Sequence, residues 1–152
     1  MTDTDVHDVD LDEDLIRVTG KGSKQRLVPV GSHLREALFS YINGGSRSKL
    51  LGDKRSVRLL LNSRGYPLGR HGVNEILRRR ALVAGVATQG VHAHAFRHSC
   101  ATHMIAHGAD IRVVQELLGH SSIATTQRYT GVALTTLRDA YGHAHPRATG
   151  SA

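Results

Sequence analysis

Short amphipathic stretches that each end at a glycine dominate the second half of this chain and restrict it to a helical body. Apolar side chains recur at helical spacing over residues 73–85, 93–107 and 111–118, and a glycine closes each stretch. Glycine ends helices because it adopts the left-handed conformation without a steric penalty. We therefore predict three consecutive helices here, with two further helical stretches at 122–129 and 134–141.

A β-hairpin is predicted ahead of these helices, in the segment LIRVTGKGSKQRLVPV at residues 15–30. Ile16, Val18 and Leu27 are strand-forming residues, and the glycine-rich run at 20–23 supplies the turn. The hairpin is expected to open the domain, with the helical body after it.

Between the hairpin and the helical body, the sequence predicts one more helix and one more strand. Ser32 is placed as the N-cap of a helix that stops at Gly44. The Ser-rich segment 46–56 is predicted as a connection, the apolar run 57–61 as a third strand and 62–72 as a loop. The predicted fold class is therefore α+β and mainly α, with a small antiparallel β-sheet at the N-terminal side packed on a helical body.

The length and composition fit one globular domain. The chain has 152 residues, of which 39% are hydrophobic, and this is too short for two comfortable cores. We predict a flexible acidic N-terminus at 1–10, one domain over 11–143 and a flexible tail at 144–152. The single cysteine agrees with a reducing compartment. No apolar run approaches the roughly 18 residues of a membrane span, and a signal peptide is not apparent, so a cytoplasmic protein without a membrane partner is expected.

The charge of the chain is unevenly distributed. Residues 1–14 contain seven carboxylates and no Lys or Arg, whereas the remaining 138 residues hold 20 basic and six acidic side chains, a net charge of +14. Such an excess on a compact domain indicates a polyanionic partner, and nucleic acid is the commonest one. A basic surface without a partner is the alternative.

Five of the eleven histidines fall in the segment VHAHAFRHSCATHMIAH, at residues 91–107. His94 and His98 share a predicted helix face, as do His103 and His107, which suits a metal ion geometrically. The sequence has neither a His-Glu-x-x-His arrangement nor a Cys-x-x-Cys pair. We therefore predict no metal site and no cofactor, and zinc binding remains the open alternative.

Five side chains together are typical of phosphoryl transfer. Arg97 offers a planar, permanently charged fork to two phosphate oxygens, and His94 can shuttle a proton near neutral pH. His120 follows a Leu-Leu-Gly stop, Tyr129 lies nine residues beyond it, and Lys21 lies in the hairpin turn. Each residue taken singly has an ordinary structural explanation. Jointly they supply one oxygen nucleophile, cationic clamps and two imidazoles.

The segments HAFRHSCATHMIAHGADIRVVQELLGHSSIATTQRYT and GKGSKQRLVPV carry a family resemblance. The first resembles the C-terminal motif block of the tyrosine recombinases, the phage integrase and Xer-type family. The second resembles that family's lysine hairpin. The similarity extends from about Asp8 to Arg147, with the motifs in the family's order and spacing.

The resemblance implies a mechanism that needs no metal. Tyr129 would attack a DNA phosphodiester and form a 3′-phosphotyrosine intermediate, which conserves the bond energy for resealing. Arg97 would hold the non-bridging oxygens, and His120 would hydrogen-bond the scissile phosphate. Lys21 would protonate the leaving 5′ oxygen, and His94 would act as acid and base toward the tyrosine hydroxyl.

The resemblance also implies partners. Double-stranded DNA is the expected substrate, with other recombinase protomers on it as a homo-oligomer or a synaptic tetramer with full-length copies. Lys24, Arg26 and Arg70 are candidate phosphate contacts, which would position the duplex rather than read its bases. The end of the chain, LRDAYGHAHPRA, resembles the family segment that packs on a neighbouring protomer, although its polar content also fits disorder.

Family members carry a further catalytic arginine in a helix before the hairpin, with a glutamate close behind it. The only arginine before Lys21 is Arg17, inside the predicted strand, so we expect a catalytic domain truncated on that side and lacking the core-binding domain. Losing one such clamp costs about 2.7–4 kcal/mol, roughly 100- to 1000-fold in rate.

Three hypotheses stand: the catalytic domain of a site-specific recombinase, a DNA-binding remnant that cannot cleave alone, and a metal-binding helical protein.

Overall fold

A small antiparallel sheet, six α-helices and two short 3₁₀ elements lie in the part of the chain that the computed structural model describes, residues 3–23, 25–119 and 131–144. The strands are β1 (Val9–Asp10), β2 (Leu15–Thr19) and β3 (Gln25–Pro29), paired in that order. The helices are α1 (Ser32–Asn43), α2 (Ser46–Leu51), α3 (Arg70–Val83), α4 (Ala93–Ala106), α5 (Ile111–Leu118) and α6 (Gly131–Ala144). None of these helices is long and apolar enough to cross a membrane. The predicted α+β, mainly helical class is confirmed.

The predicted hairpin is present as β2 and β3. The two strands pair antiparallel from Leu15 opposite Pro29 to Thr19 opposite Gln25. A short 3₁₀ turn, Lys21–Ser23, joins them. Gly22 has a φ of 69°, a left-handed conformation that glycine adopts without strain.

The third strand of the sheet is formed by a different segment from the predicted one. The apolar run at 57–61 forms only isolated bridges, Asp5 to Arg58 and Leu61 to Pro67, and the two-residue β1 takes the edge of the sheet instead. Leu59 and Leu61 are nevertheless buried. Leu59 and Leu61 pack in the core, and burial of an extended segment does not require a regular ladder.

Residues 3–10 are hydrogen-bonded to the body of the domain, whereas the sequence predicted a flexible N-terminus. The backbone N–H of Val6 donates to the carbonyl of Val57, and Thr4, which is buried, accepts from the N–H of Leu59, each at 2.9 Å. The carboxylates of residues 1–14 are partly paired with basic residues of the body. These pairs are Asp5–Arg58 (3.2 Å), Asp14–Arg35 (2.8 Å) and Glu13–Arg138 (3.1 Å).

The helix boundaries agree with the prediction in α4 and α5 and differ elsewhere. Gly31 is the N-cap of α1 in place of Ser32, and α2 occupies part of the predicted connection at 46–56. Helix α3 begins at Arg70, inside the predicted loop. Helix α6 is longer than the predicted 134–141, and its end packs within the same chain. The predicted helical stretch 122–129 lies outside the described residues.

Two apolar clusters form the core, one under the sheet and one among the last helices. The sheet cluster contains Ile16, Val18, Val30, Leu38 and Leu59. The helical cluster contains Met104, Val114, Leu117, Leu137 and Ala144. Val28 on β3 packs against both clusters, so it joins the hairpin to the helical body.

Truncation of Ile16 to valine is expected to lower the free energy of unfolding by about 0.5–1.5 kcal/mol. Ile16 is only 5% exposed, so removal of one methyl group leaves space that its neighbours fill incompletely. Urea unfolding followed by circular dichroism measures the change. Ile111→Val is the matched control, because Ile111 is 55% exposed and the same truncation there should change stability by less than about 0.5 kcal/mol. Equal losses in the two variants would contradict the assignment of the sheet cluster.

Candidate active site

The start of α4 is fixed by capping, and this places His94. The Nδ1 of His92 accepts the backbone N–H of Ala95 at 3.1 Å, which makes His92 the N-cap. The side-chain oxygen of Asn74 on α3 accepts the N–H of Ala93 at 3.0 Å. His94 is exposed in the first turn, where a substrate can reach it.

Arg97 points from α4 toward the carboxyl end of α5. Its guanidinium is half-buried and donates through a terminal nitrogen to the carbonyl of Leu118. Its Nε is buried and finds no acceptor among the residues that the structure describes. The side chain is therefore positioned by one hydrogen bond and retains a donor for a further acceptor.

Arg26 approaches the same end of α5 from the hairpin. Its Nε donates to the carbonyl of Leu117 at 3.2 Å. A Cβ built on Gly119 would lie 2.9 Å from a terminal nitrogen of Arg26, and Gly119 has a φ of 69°. Glycine therefore ends α5 in the left-handed conformation without strain and leaves the guanidinium undisplaced.

The two arginines suit the electrostatics of this helix end. The last carbonyls of a helix have no partners within it, and they carry the negative end of the helix dipole. Helix α5 begins at a conventional cap, where the carboxylate of Asp110 accepts the N–H of Arg112 at 2.7 Å. Its far end is held by cations from two other elements, β3 and α4.

The structure brings together part of the predicted set. Arg26 and Arg97 converge on the end of α5, and His94 shares α4 with Arg97. Lys21 opens the hairpin turn, five residues before Arg26. Arg70 lies apart from this cluster in sequence, exposed at the start of α3. The predictions for Lys24, His120 and Tyr129 fall outside the described residues.

Two features of this region were not predicted from the sequence. The contact of Arg26 with α5 joins residues 91 positions apart, and no local pattern signals it. The capping role of His92 does have a signal, since a short polar side chain is expected before a helix, but histidine is not among the preferred caps.

The remaining histidines of the cluster have local contacts. The rings of His103 and His107 stack at 4.0 Å, and the Nδ1 of His107 lies 2.8 Å from the carbonyl of His103. Across residues 3–23, 25–119 and 131–144, no three His, Cys, Asp or Glu side chains are grouped as metal ligands. The zinc hypothesis therefore has no ligand set in the described part of the chain.

Cys100 lies on the inner side of α4, against the helical cluster. Its Sγ is 4.0 Å from the Sδ of Met104, and burial raises the pKa of its thiol. Burial also raises the pKa of Tyr141 on α6, and the nearby Cys100 raises it further, while a hydrogen bond with the backbone of Gly31 opposes the shift. These groups face the core.

Alkylation of Cys100 by iodoacetamide is expected to be slower in the folded protein at pH 8 than in the urea-unfolded chain. The thiolate is the reactive form, and a raised pKa lowers its fraction at a given pH. The difference should narrow as pH rises, because the folded thiol then ionises too. Intact-mass spectrometry gives both rates directly, since the chain has one cysteine. Equal rates at pH 8 would show that burial does not protect this thiol.

Known proteins resemble this chain over nearly all of its length. It is 47% identical over 152 residues to tyrosine recombinase XerD of Bifidobacterium longum, covering 97% of this chain and 49% of that protein. It is 46% identical over 144 residues to tyrosine recombinase XerC of Bacillus subtilis, covering 94% of this chain and 47% of that protein. The chain thus spans about half the length of the curated relatives it matches.

Solved structures share the fold. The crystal structure of XerA recombinase superposes with a TM-score of 0.70 at 32% identity, covering 96% of this chain and 52% of that one. The post-cleavage complex of XerH site-specific recombinase with a palindromic difH substrate gives a TM-score of 0.65 at 27% identity, covering 93% of this chain and 40% of that one. The sequence profile of the phage integrase family matches residues 1–149. The chain therefore belongs to the phage integrase family.

Proposed function

We propose that this chain is the catalytic domain of a site-specific DNA recombinase, which breaks and rejoins DNA through a 3′-phosphotyrosine intermediate at Tyr129. The hydroxyl oxygen of Tyr129 attacks the phosphorus and forms a new P–O bond. The bond between the phosphorus and the 5′ oxygen breaks at the same time. The number of phosphodiester-type bonds is unchanged, so a 5′-hydroxyl can reverse the step without ATP.

The proton transfers are assigned to two groups. An unperturbed tyrosine ionises only near pH 10, so attack at neutral pH needs a base, and exposed His94 at the start of α4 takes that proton. Lys21 in the hairpin turn gives a proton to the departing 5′ oxygen. Both transfers reverse on religation.

The observation that carries the proposal is the position of Arg97. The guanidinium of Arg97 is held against the carboxyl end of α5, and the buried Nε of Arg97 has no acceptor among the described residues. In the sequence, Gly119 and then His120 follow this helix end. A non-bridging phosphate oxygen is an acceptor that the remaining terminal N–H groups of this half-buried guanidinium suit, because a fixed cation stabilises the charge that develops there. His120 adds a second hydrogen bond to the same phosphate.

Double-stranded DNA is the proposed substrate and further protomers the proposed partners. XerH site-specific recombinase, one of the solved structures similar to this chain, is bound to a difH substrate in a pre-cleavage and in a post-cleavage complex. The net charge of +14 outside the first fourteen residues supports DNA binding by this chain. Lys24 and exposed Arg70 are proposed contacts to the DNA backbone, and the assembly on DNA is proposed to be a homo-oligomer or a synaptic tetramer with full-length copies.

A nicked duplex that carries the native recombination site tests the proposal. The short strand beyond the nick diffuses away after cleavage, so religation fails and the covalent adduct accumulates on a denaturing gel. We expect an adduct, and peptide mapping should place the nucleotide on the peptide that contains Tyr129. DNA that binds in a salt-sensitive way without an adduct would instead establish the non-cleaving remnant.

A further inference from the structure

Two hydrogen bonds, to the carbonyls of two consecutive residues, hold the carboxyl end of α5 from two sides. Arg26 from β3 donates to the carbonyl of Leu117, and Arg97 from α4 donates to the carbonyl of Leu118. A Cβ on the next residue, Gly119, would lie 2.9 Å from a terminal nitrogen of Arg26, so a side chain there would displace the guanidinium. Two adjacent carbonyls of one helix end are thus tied to two different elements of the fold.

The contact of Arg26 is supported by the packing of its own strand. Side chains two apart on a strand point to the same face, so Arg26 and Val28 share one. Val28 packs against the helical cluster that contains Leu117. Arg26 is half-buried, and its guanidinium reaches the carbonyl of Leu117 in the helical body.

We infer that Arg26 is a positioning residue, which anchors the end of α5 to the hairpin and so fixes the turn leading to His120 relative to the turn carrying Lys21. This inference deepens the proposed function and rests on it for its catalytic consequence. A phosphate bound between His120, Arg97 and Lys21 needs all three at fixed separations, and Arg97 alone ties α5 to α4 and not to the hairpin. Arg26 adds a hydrogen bond between the hairpin and the very end of α5, next to the apolar contact of Val28 with the cluster that contains Leu117.

The inference differs from a role for Arg26 as a direct phosphate contact, and salt dependence separates the two. A side chain that neutralises a phosphate contributes about 0.9 to the slope of log binding constant against log salt concentration. A positioning side chain contributes little to that slope. It affects the rate instead, since misplacement of reacting groups by about 1 Å costs on the order of 100-fold.

The test compares Arg26→Gln, Arg26→Lys and the control Arg17→Gln with the wild-type chain. Arg17 is exposed on the neighbouring strand β2, so its replacement removes the same charge without touching α5. For each protein, DNA affinity is measured at several salt concentrations, and single-turnover adduct formation is measured at saturating nicked DNA. Hydrogen exchange of peptides covering 111–119 is followed in the absence of DNA.

We expect Arg26→Gln to slow adduct formation by about 10- to 100-fold at saturating DNA, with the affinity and its salt slope unchanged. Arg26→Lys should recover part of the rate, because an ammonium can donate to one carbonyl, and Arg17→Gln should behave as wild type. Exchange in 111–119 should rise in Arg26→Gln. A weaker affinity with a salt slope lower by about 0.9 and an unchanged saturated rate would overturn the inference.

Hydrogen exchange keeps the inference testable if the wild-type chain forms no adduct. In that case the proposed function fails, and faster exchange of 111–119 in Arg26→Gln alone would still support the anchoring of α5. Unchanged exchange would overturn it.

Discussion

Replacement of Tyr129 by phenylalanine is expected to abolish the covalent protein–DNA adduct while leaving DNA binding intact. The substitution removes one oxygen atom, and that oxygen is the group that bonds to phosphorus in the proposed reaction. No neighbouring base or cation can compensate for a missing nucleophile, so the loss should be complete within the sensitivity of a denaturing gel. Affinity for the nicked duplex, measured in parallel, shows that the variant still reaches its substrate.

Tyr141→Phe is the matched control for this experiment. It removes the same atom from a tyrosine that is half-buried on α6, against the core and outside the proposed site. The control should form the adduct at the wild-type rate. An adduct that persists in Tyr129→Phe would mean that another side chain is the nucleophile, and peptide mapping would identify it.

Replacement of Arg97 by glutamine is expected to slow adduct formation by about 100- to 1000-fold at saturating DNA. Two effects combine in this variant. The phosphate loses a fixed cation when charge develops on it, and α5 loses the hydrogen bond to the carbonyl of Leu118. Quenched time courses on the nicked substrate measure the rate.

Arg97→Lys distinguishes the two effects of that substitution. Lysine keeps the charge but lacks the planar guanidinium fork. In Arg97 one terminal nitrogen of that fork donates to the carbonyl of Leu118, and Nε is a second, buried donor. We expect a rate between those of wild type and Arg97→Gln. If Arg97→Gln instead weakens DNA binding and cleaves normally at saturation, Arg97 is a docking contact and the proposed site is wrong.

The parts of the fold that follow local rules were predictable from the sequence. The hairpin was predicted because alternating apolar residues flank a glycine-rich turn, and α4 and α5 were predicted because glycine follows each amphipathic stretch. The strand at 57–61 was wrong, since an apolar run signals burial and not its hydrogen-bond partners. Strand β1 has two residues, too few to show any periodicity.

The chemical groups of the candidate site could be proposed from the sequence, but their arrangement could not. Arg97 and His94 were identified by their spacing on one helix, which the structure confirms as α4. Arg26 was predicted as a candidate phosphate contact from its place in the hairpin, and that contact stays a prediction. Its contact with a helix carbonyl depends on how the hairpin packs on the helical body, and that arrangement is set by Val28 and the core clusters.

The two hydrogen bonds that hold the end of α5 differ in the entropy cost of forming them during folding. The contact of Arg97 with Leu118 closes a loop of 21 residues, whereas that of Arg26 with Leu117 closes one of 91. The entropy of loop closure grows with the logarithm of length, so the longer closure costs roughly 1.3 kcal/mol more. Arg97 reaches its place once two helices adjacent in the chain have met. The hairpin takes its place against α5 only when contacts across those 91 residues have formed, so a local helical unit cannot complete the site before the hairpin has docked.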